Sequence, residues 1–189
     1  RQVGDEIDAL DEQVRAVDEQ LAQQTAALPN MLAEDTPYGV DERDNPVLRQ
    51  VGEIPAFAFE PKPHWDLGTS LGIIDFDRGV KITGSRFYIL NGAGARPQRA
   101  LIAWMLDLHI RQGYAERYLP FMVKSATLFA SGQLPKFESN LYHDIEEDLW
   151  MVPTAEVPLT GMHMDEVFDG TSLPRRYCAY TPCFRREKM

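Results

Sequence analysis

Cysteine is scarce: Cys178 and Cys183 are the only two in 189 residues. They are five positions apart, which is neither a CxxC redox spacing nor half of a recognisable zinc site. The four histidines, at 64, 109, 143 and 163, show no ligand-like pairing. The composition therefore supports structural thiols in a reducing compartment and no protein-held metal. No run approaches about 18 consecutive apolar residues, which excludes a membrane-spanning helix of ordinary length. The first residues are acidic and heptad-patterned where a secretory signal would be basic and then apolar, so a cytoplasmic location is expected. Basic residues are also in deficit, 19 Lys and Arg against 29 Asp and Glu, for a formal net charge of -10. That balance argues against broad, non-specific affinity for nucleic acid. No Gly-x-x-x-x-Gly-Lys-Ser/Thr occurs. Asn91-Gly92-Ala93-Gly94-Ala95-Arg96 lacks the third glycine of a dinucleotide fingerprint, and reads as a hairpin or strand-to-helix turn.

What is present is a chain with 44% hydrophobic content, enough for one sizeable core plus an appendage. Positions 3, 7, 10, 14, 17, 21, 24 and 28 are Val, Ile, Leu, Val, Val, Leu, Gln and Leu, so seven of eight heptad positions are apolar. Charged and small residues between them leave a narrow seam that a lone helix cannot bury. One arm of a helical hairpin, a dimerising coiled coil and a helix packed on its own domain all fit this pattern. Pro29-Asn30 ends the helix. Residues 29–63, rich in Pro, Asp and Glu, read as an extended linker with Asp41-Glu42-Arg43-Asp44-Asn45-Pro46 at its centre.

Beyond the linker, His64-Trp65-Asp66-Leu67-Gly68 and Leu71-Gly72-Ile73-Ile74-Asp75 predict short helical turns, and Arg86-Phe87-Tyr88-Ile89-Leu90 a strand. Pro97 opens a long amphipathic helix that runs to Gly113. Tyr118–Val123 reads as a strand interrupted by Pro120, suited to an edge or an interface. Asp148–Val152 and Arg176–Tyr180 read as strands set among loops without regular helices between them. The order predicts an α+β fold, a largely antiparallel sheet with helices on one face.

Two blocks carry chemistry. Val152-Pro153-Thr154-Ala155-Glu156-Val157-Pro158-Leu159-Thr160 reads as a buried strand ending in a Pro-bracketed loop. It offers a hydroxyl and a carboxylate, suitable partners for a small polar ammonium ligand. Tyr180-Thr181-Pro182-Cys183-Phe184-Arg185-Arg186-Glu187 sets two guanidinium groups beside a carboxylate, as recognition of a nucleotide polyphosphate requires. Charge changes sign along this region. Glu138–Pro174 holds nine acidic residues and no basic one, whereas Arg175–Met189 holds five basic residues and the single acid Glu187.

Together with Asp44-Asn45-Pro46-Val47, Gly84-Ser85-Arg86-Phe87, Met105-Leu106-Asp107-Leu108-His109 and Gly132-Gln133-Leu134-Pro135-Lys136-Phe137, these blocks resemble the bacterial-type seryl-tRNA synthetases, in family order and across the chain. The resemblance implies a class II aminoacyl-tRNA synthetase fold, an antiparallel sheet flanked by helices and preceded by a helical-hairpin coiled coil. Residues 1–28 then correspond to the end of the hairpin's second, tRNA-gripping arm, 29–63 to a linker, and 64–189 to the first part of the catalytic domain. The helix from Pro97 and the strand through Pro120 resemble the first class-defining motif, implying a homodimer.

Thr154, Ala155 and Glu156 match the family's L-serine-contacting segment. Arg185, Arg186 and Glu187 match the ATP-contacting start of its second motif, with Arg185 as the catalytic clamp on the α-phosphate. The implied partners are L-serine, ATP and tRNA(Ser), with tRNA(Sec) as a further candidate acceptor. Mg2+ is implied as a counterion of the phosphates, and no metal as a resident of the protein.

Arg1 stands where a start methionine would, and Lys188-Met189 follows the arginines without a turn or cap, so the chain reads as a piece of a longer one. The rest of the second motif, the third motif and the hairpin's first arm are missing from it. Taken singly, Arg185, Arg186 and Glu156 are ordinary surface residues, and Lys136 a solvated turn; their combination gives the first group its meaning. The competing readings are a carrier-protein amino acid ligase and a non-catalytic paralogue serving as a dimerisation or RNA-binding module. Against the first stand the heptad stub and the lack of zinc-ligand spacing; against the second stands the intact set Thr154, Glu156, Arg185 and Glu187.

Overall fold

The computed structural model describes residues 2–187. Arg1 and Met189, which bound the first and last expected domains, and Lys188 of the basic run lie outside the described residues. The chain divides into two compact units. One comprises the residues up to Glu53 together with Gly132–Glu138, and the other Ile54–Ser131 with Ser139 onward.

The first unit is dominated by helix α1 (Gln2–Ala26). Its apolar seam is open: Val3, Ile7, Leu10, Val14, Val17 and Leu21 are 53–67% exposed. The helix tightens at its end, where the Ala27 and Leu28 amides donate to the Gln24 and Thr25 carbonyls, three residues back. Pro29 then supplies no amide to continue it. The acidic stretch beyond is not wholly extended, because Asp41 caps a single 3-10 turn, Glu42–Asp44, accepting from the Arg43 amide at 2.9 Å. Its carboxylate also pairs with the Arg43 guanidinium at 2.6 Å, and chiefly for that reason titrates below the ordinary aspartate range.

The second unit contains short elements. Helix α2 (His64–Ser70) leads to strand β1 (Ile74–Asp75), helix α3 (Phe76–Thr83) and strand β2 (Ile89–Leu90), which pairs antiparallel with β1. Leu71–Asp75, expected to be a helical turn, is half turn and half strand: the Asp75 side chain accepts the Arg78 amide at 2.9 Å and starts α3 instead. Strand β2 begins three residues later than expected because Arg86 lies in the left-handed region, φ 74°. Helix α4 (Ala95–Arg111) covers the predicted long helix and leads to β3 (Ala115–Glu116), β4 (Met122–Val123) and helix α5 (Ser125–Ala130).

Strands β5 (His143–Asp144) and β6 (Leu149–Met151) complete a three-stranded antiparallel sheet with β6 at its centre, Val123 and His143 both facing Trp150 in register. After β6 comes helix α6 (Glu156–Gly161), where intervening helices were not expected. Pro158 is tolerated there because it sits in the first turn, where no intrahelical donor is required. The last strand, β7 (Tyr177–Cys178), pairs parallel with β3, so the α+β architecture holds but the sheet is divided into three and one pairing is parallel. The core of this unit is Leu119, Val123, Leu128, Leu141, Trp150, Val152 and Val157, with Leu128, Val152 and Val157 fully buried where α5 packs on α6.

Candidate active site

Alternation along β6 points Trp150 and Val152 inward, and the chain leaves the sheet at Pro153. Two strand-like hydrogen bonds fix this exit. The Val152 amide donates to the Phe121 carbonyl at 3.0 Å, and the Val152 carbonyl accepts the Phe184 amide at 2.9 Å. The second bond draws the arginine segment alongside the end of β6. Two residues further on, the Arg186 amide donates to the Asn140 carbonyl at 2.8 Å. Residues 184–186 are thus stitched to backbone from two different parts of the chain.

The two blocks singled out in the sequence meet here through one side chain. Arg185 Nε donates to the Pro153 carbonyl at 3.2 Å, immediately before Thr154. Thr154 and Ala155 are half-buried, and Glu156 is exposed as the first residue of α6. The Glu156 amide lies 3.4 Å from Thr154 Oγ1, folding the hydroxyl back over the helix start. Arg185, Arg186 and Glu187 are exposed. Among the described residues neither arginine makes an ion pair, and neither the Glu156 nor the Glu187 carboxylate accepts a hydrogen bond. Among the described residues the Nη groups of Arg185 make no hydrogen bond, while its Nε is anchored. Such a planar fork suits an oxyanion with two acceptors.

Two further residues belong to this arrangement that local chemistry in the sequence did not mark. Arg86 Nη1 donates to the Glu187 carbonyl at 3.0 Å, across 101 positions of chain. Asn140 takes the Arg186 amide on its carbonyl and buries its own Oδ1 without a partner. Arg86 lay within one of the motif blocks without a role; nothing distinguished Asn140. The described residues hold no group of three or more His, Cys, Asp or Glu able to bind a metal ion.

No protein-family model matches the chain. The serine–tRNA ligase of Roseiflexus castenholzii is 59% identical over all 189 residues, which span 45% of that protein. Among solved structures, seryl-tRNA synthetase from Pyrococcus horikoshii complexed with ATP superposes with a TM-score of 0.90 at 34% identity. It covers 99% of this chain and 46% of its own. The cytoplasmic serine–tRNA ligase of Naegleria fowleri in complex with AMP gives a TM-score of 0.81 at 28% identity, over 94% of this chain and 43% of its own. The chain thus spans a little under half the length of the relatives it matches. With sequence and fold agreeing from end to end of that span, the chain matches, over the part it covers, the seryl-tRNA synthetases.

Proposed function

We propose that the protein carrying this chain is a serine–tRNA ligase of the cytoplasm, which activates L-serine with ATP and transfers it to tRNA(Ser). The observation that carries this reading is the Arg185 Nε bond to the Pro153 carbonyl, because it ties the phosphate-facing fork to the loop of Thr154 and Glu156. In the first step a serine carboxylate oxygen attacks the α-phosphorus of ATP and pyrophosphate departs, giving seryl-adenylate. Two anions must be held in line, and no protein nucleophile is required. Glu156 takes the serine ammonium and Thr154 adds a hydroxyl contact, with Ala155 lining the segment between them. The Nη groups of Arg185 neutralise charge gathering on the α-phosphoryl oxygens. Arg186 supports the polyphosphate, and Glu187 holds the adenine amino group or orients the arginines.

In the second step a terminal hydroxyl of the tRNA attacks the adenylate carbonyl and AMP leaves. Magnesium enters as the counterion of ATP, part of the substrate. No carboxylate cluster in the described residues fits a protein-held ion, so no step is assigned to one.

Residues 1–28 serve as part of the tRNA-gripping hairpin, and the open seam of α1 supports a partner helix there. Residues 29–63 link that arm to the catalytic part, which begins at 64. Leu101, Trp104 and Met105 of α4, all exposed and on one side of it, support a homodimer face on that helix. Serine-dependent ATP–pyrophosphate exchange, with threonine, alanine and glycine as controls, tests the first step. Exchange with serine alone is expected, and no exchange with any of them overturns the reading in favour of a binding module. Charging of tRNA(Ser) and tRNA(Sec) transcripts tests the second step and its breadth.

A further inference from the structure

Arg86 is far from the serine loop in sequence, and its backbone conformation is one that residues other than glycine seldom adopt, φ 74°. The surroundings impose it. Helix α3 ends at Gly84, whose amide closes on the Val80 carbonyl at 2.8 Å and whose φ of 110° turns the chain sharply back. The returning segment crosses α3 directly over Gly79, where an added Cβ would lie 2.5 Å from the Tyr88 Cα and 2.7 Å from the Phe87 carbonyl oxygen. The β1–β2 pairing then holds Ile89 and Leu90. The loop is pinned on both sides of Arg86, and its side chain ends 3.0 Å from the Glu187 carbonyl.

We propose that Arg86 is a positioning residue for the arginine segment. Its single donated hydrogen bond fixes Glu187, and through it the orientation of Arg185, without touching substrate. This extends the reading of residues 185–187 as an ATP site. Strain of this kind persists where surrounding structure over-determines it, and it clusters at functional sites.

The role requires one donor, so it makes a demand opposite to that on Arg185. Lysine replaces Arg86 but cannot replace the Arg185 fork. Hydrogen exchange at the Phe184 and Arg186 amides, read on the full-length protein, tests the ordering independently of activity. Arg86→Ala is expected to speed exchange there by about tenfold or more, a ~1.4 kcal/mol loosening, while Arg86→Lys stays near wild type. Arg86→Gly separates the two contributions, since glycine accepts the φ without strain yet supplies no donor. It is expected to behave as Arg86→Ala, and if it matches wild type the hydrogen bond is not the agent and the proposal is overturned. Unchanged exchange in Arg86→Ala overturns it as well. In pyrophosphate exchange, Arg86→Ala should lower kcat with little change in the KM for serine, and Arg86→Lys should restore it; a loss confined to the serine KM contradicts a positioning role. If wild type itself lacks serine-dependent exchange, the ATP-site reading falls, and the amide measurement still decides whether Arg86 orders the segment.

Discussion

Glu156 and Arg185 divide the work of the proposed site between two signs of charge. Each is held through backbone rather than through the other: Glu156 by its place at the start of α6, Arg185 by the Pro153 carbonyl. Truncating one should therefore leave the other in place. Glu156→Ala is expected to lower kcat/KM for serine-dependent exchange by roughly 100-fold, about the loss of one hydrogen bond to a charged group. Its thermal unfolding should match wild type, because the residue is exposed. Unchanged serine kinetics would remove Glu156 from the site.

Asp148 is a different kind of acid. It joins β5 to β6 with φ 51°, accepts the Trp150 indole N–H at 2.9 Å, and takes the Ser125 hydroxyl and amide at 2.8 and 3.2 Å. The Trp150 bond first, then the Ser125 hydroxyl, holds its carboxyl below the ordinary aspartate range. A carboxyl depressed in the folded state adds stability above its unfolded pKa, near 4, and loses it as the pH falls through the lower folded value. Asp148→Asn should thus lower the melting temperature at neutral pH, with the difference from wild type shrinking below about pH 4. A gap independent of pH would assign the effect to shape alone.

At the level of elements, Gly79 shows how packing overrides propensity. Alanine is favoured over glycine within a helix by about 1 kcal/mol. In α3 that gain is opposed by backbone at 2.5–2.7 Å from the new Cβ. Clashes of this kind cost about 1–3 kcal/mol. Gly79→Ala should destabilise the second unit in a denaturant titration, and a stabilised variant would mean that the loop over α3 can lift away.

The same contrast explains what the sequence made legible. Helix α1 and helix α4 announced themselves by period, and their ends by Pro29 and Gly113, because long amphipathic helices repeat a local rule. Strand β6 was found because Leu149–Val152 is a short apolar run set among loops. The region after it was not: Glu156–Gly161 contains Pro158 and is too short to show a period, so its helix is set by packing against α5. Strand Arg86–Leu90 was shortened by a backbone angle that no residue type signalled. Of the candidate site, the residues that would touch substrate were legible because their charges and order match a family. Asn140 acts through its own backbone carbonyl, which every residue has, and Arg86 through a guanidinium bond to a carbonyl 101 positions away, so neither left a local chemical mark.

For the whole molecule, the division into two units implies separable functions. Activation of serine is proposed to need the second unit, and selection of tRNA to need α1. Replacing Leu10 and Val14 together by aspartate is expected to keep pyrophosphate exchange within about twofold and to reduce tRNA charging by about tenfold or more, a loss of at least ~1.4 kcal/mol in binding. Equal losses in both assays would refute the separation.

The parallel pairing of β3 with β7 joins Ala115 to Tyr177. On a ribosome adding about 5–20 residues per second, β3 emerges roughly 3–12 s before its partner strand has been made. Through that interval its edge is open, and the arginine segment that follows β7 does not yet exist. Arg185 and Arg186 are therefore added to a scaffold whose α5 and α6 have already been synthesised, and until β7 arrives the edge of β3 is open to pairing with a neighbour.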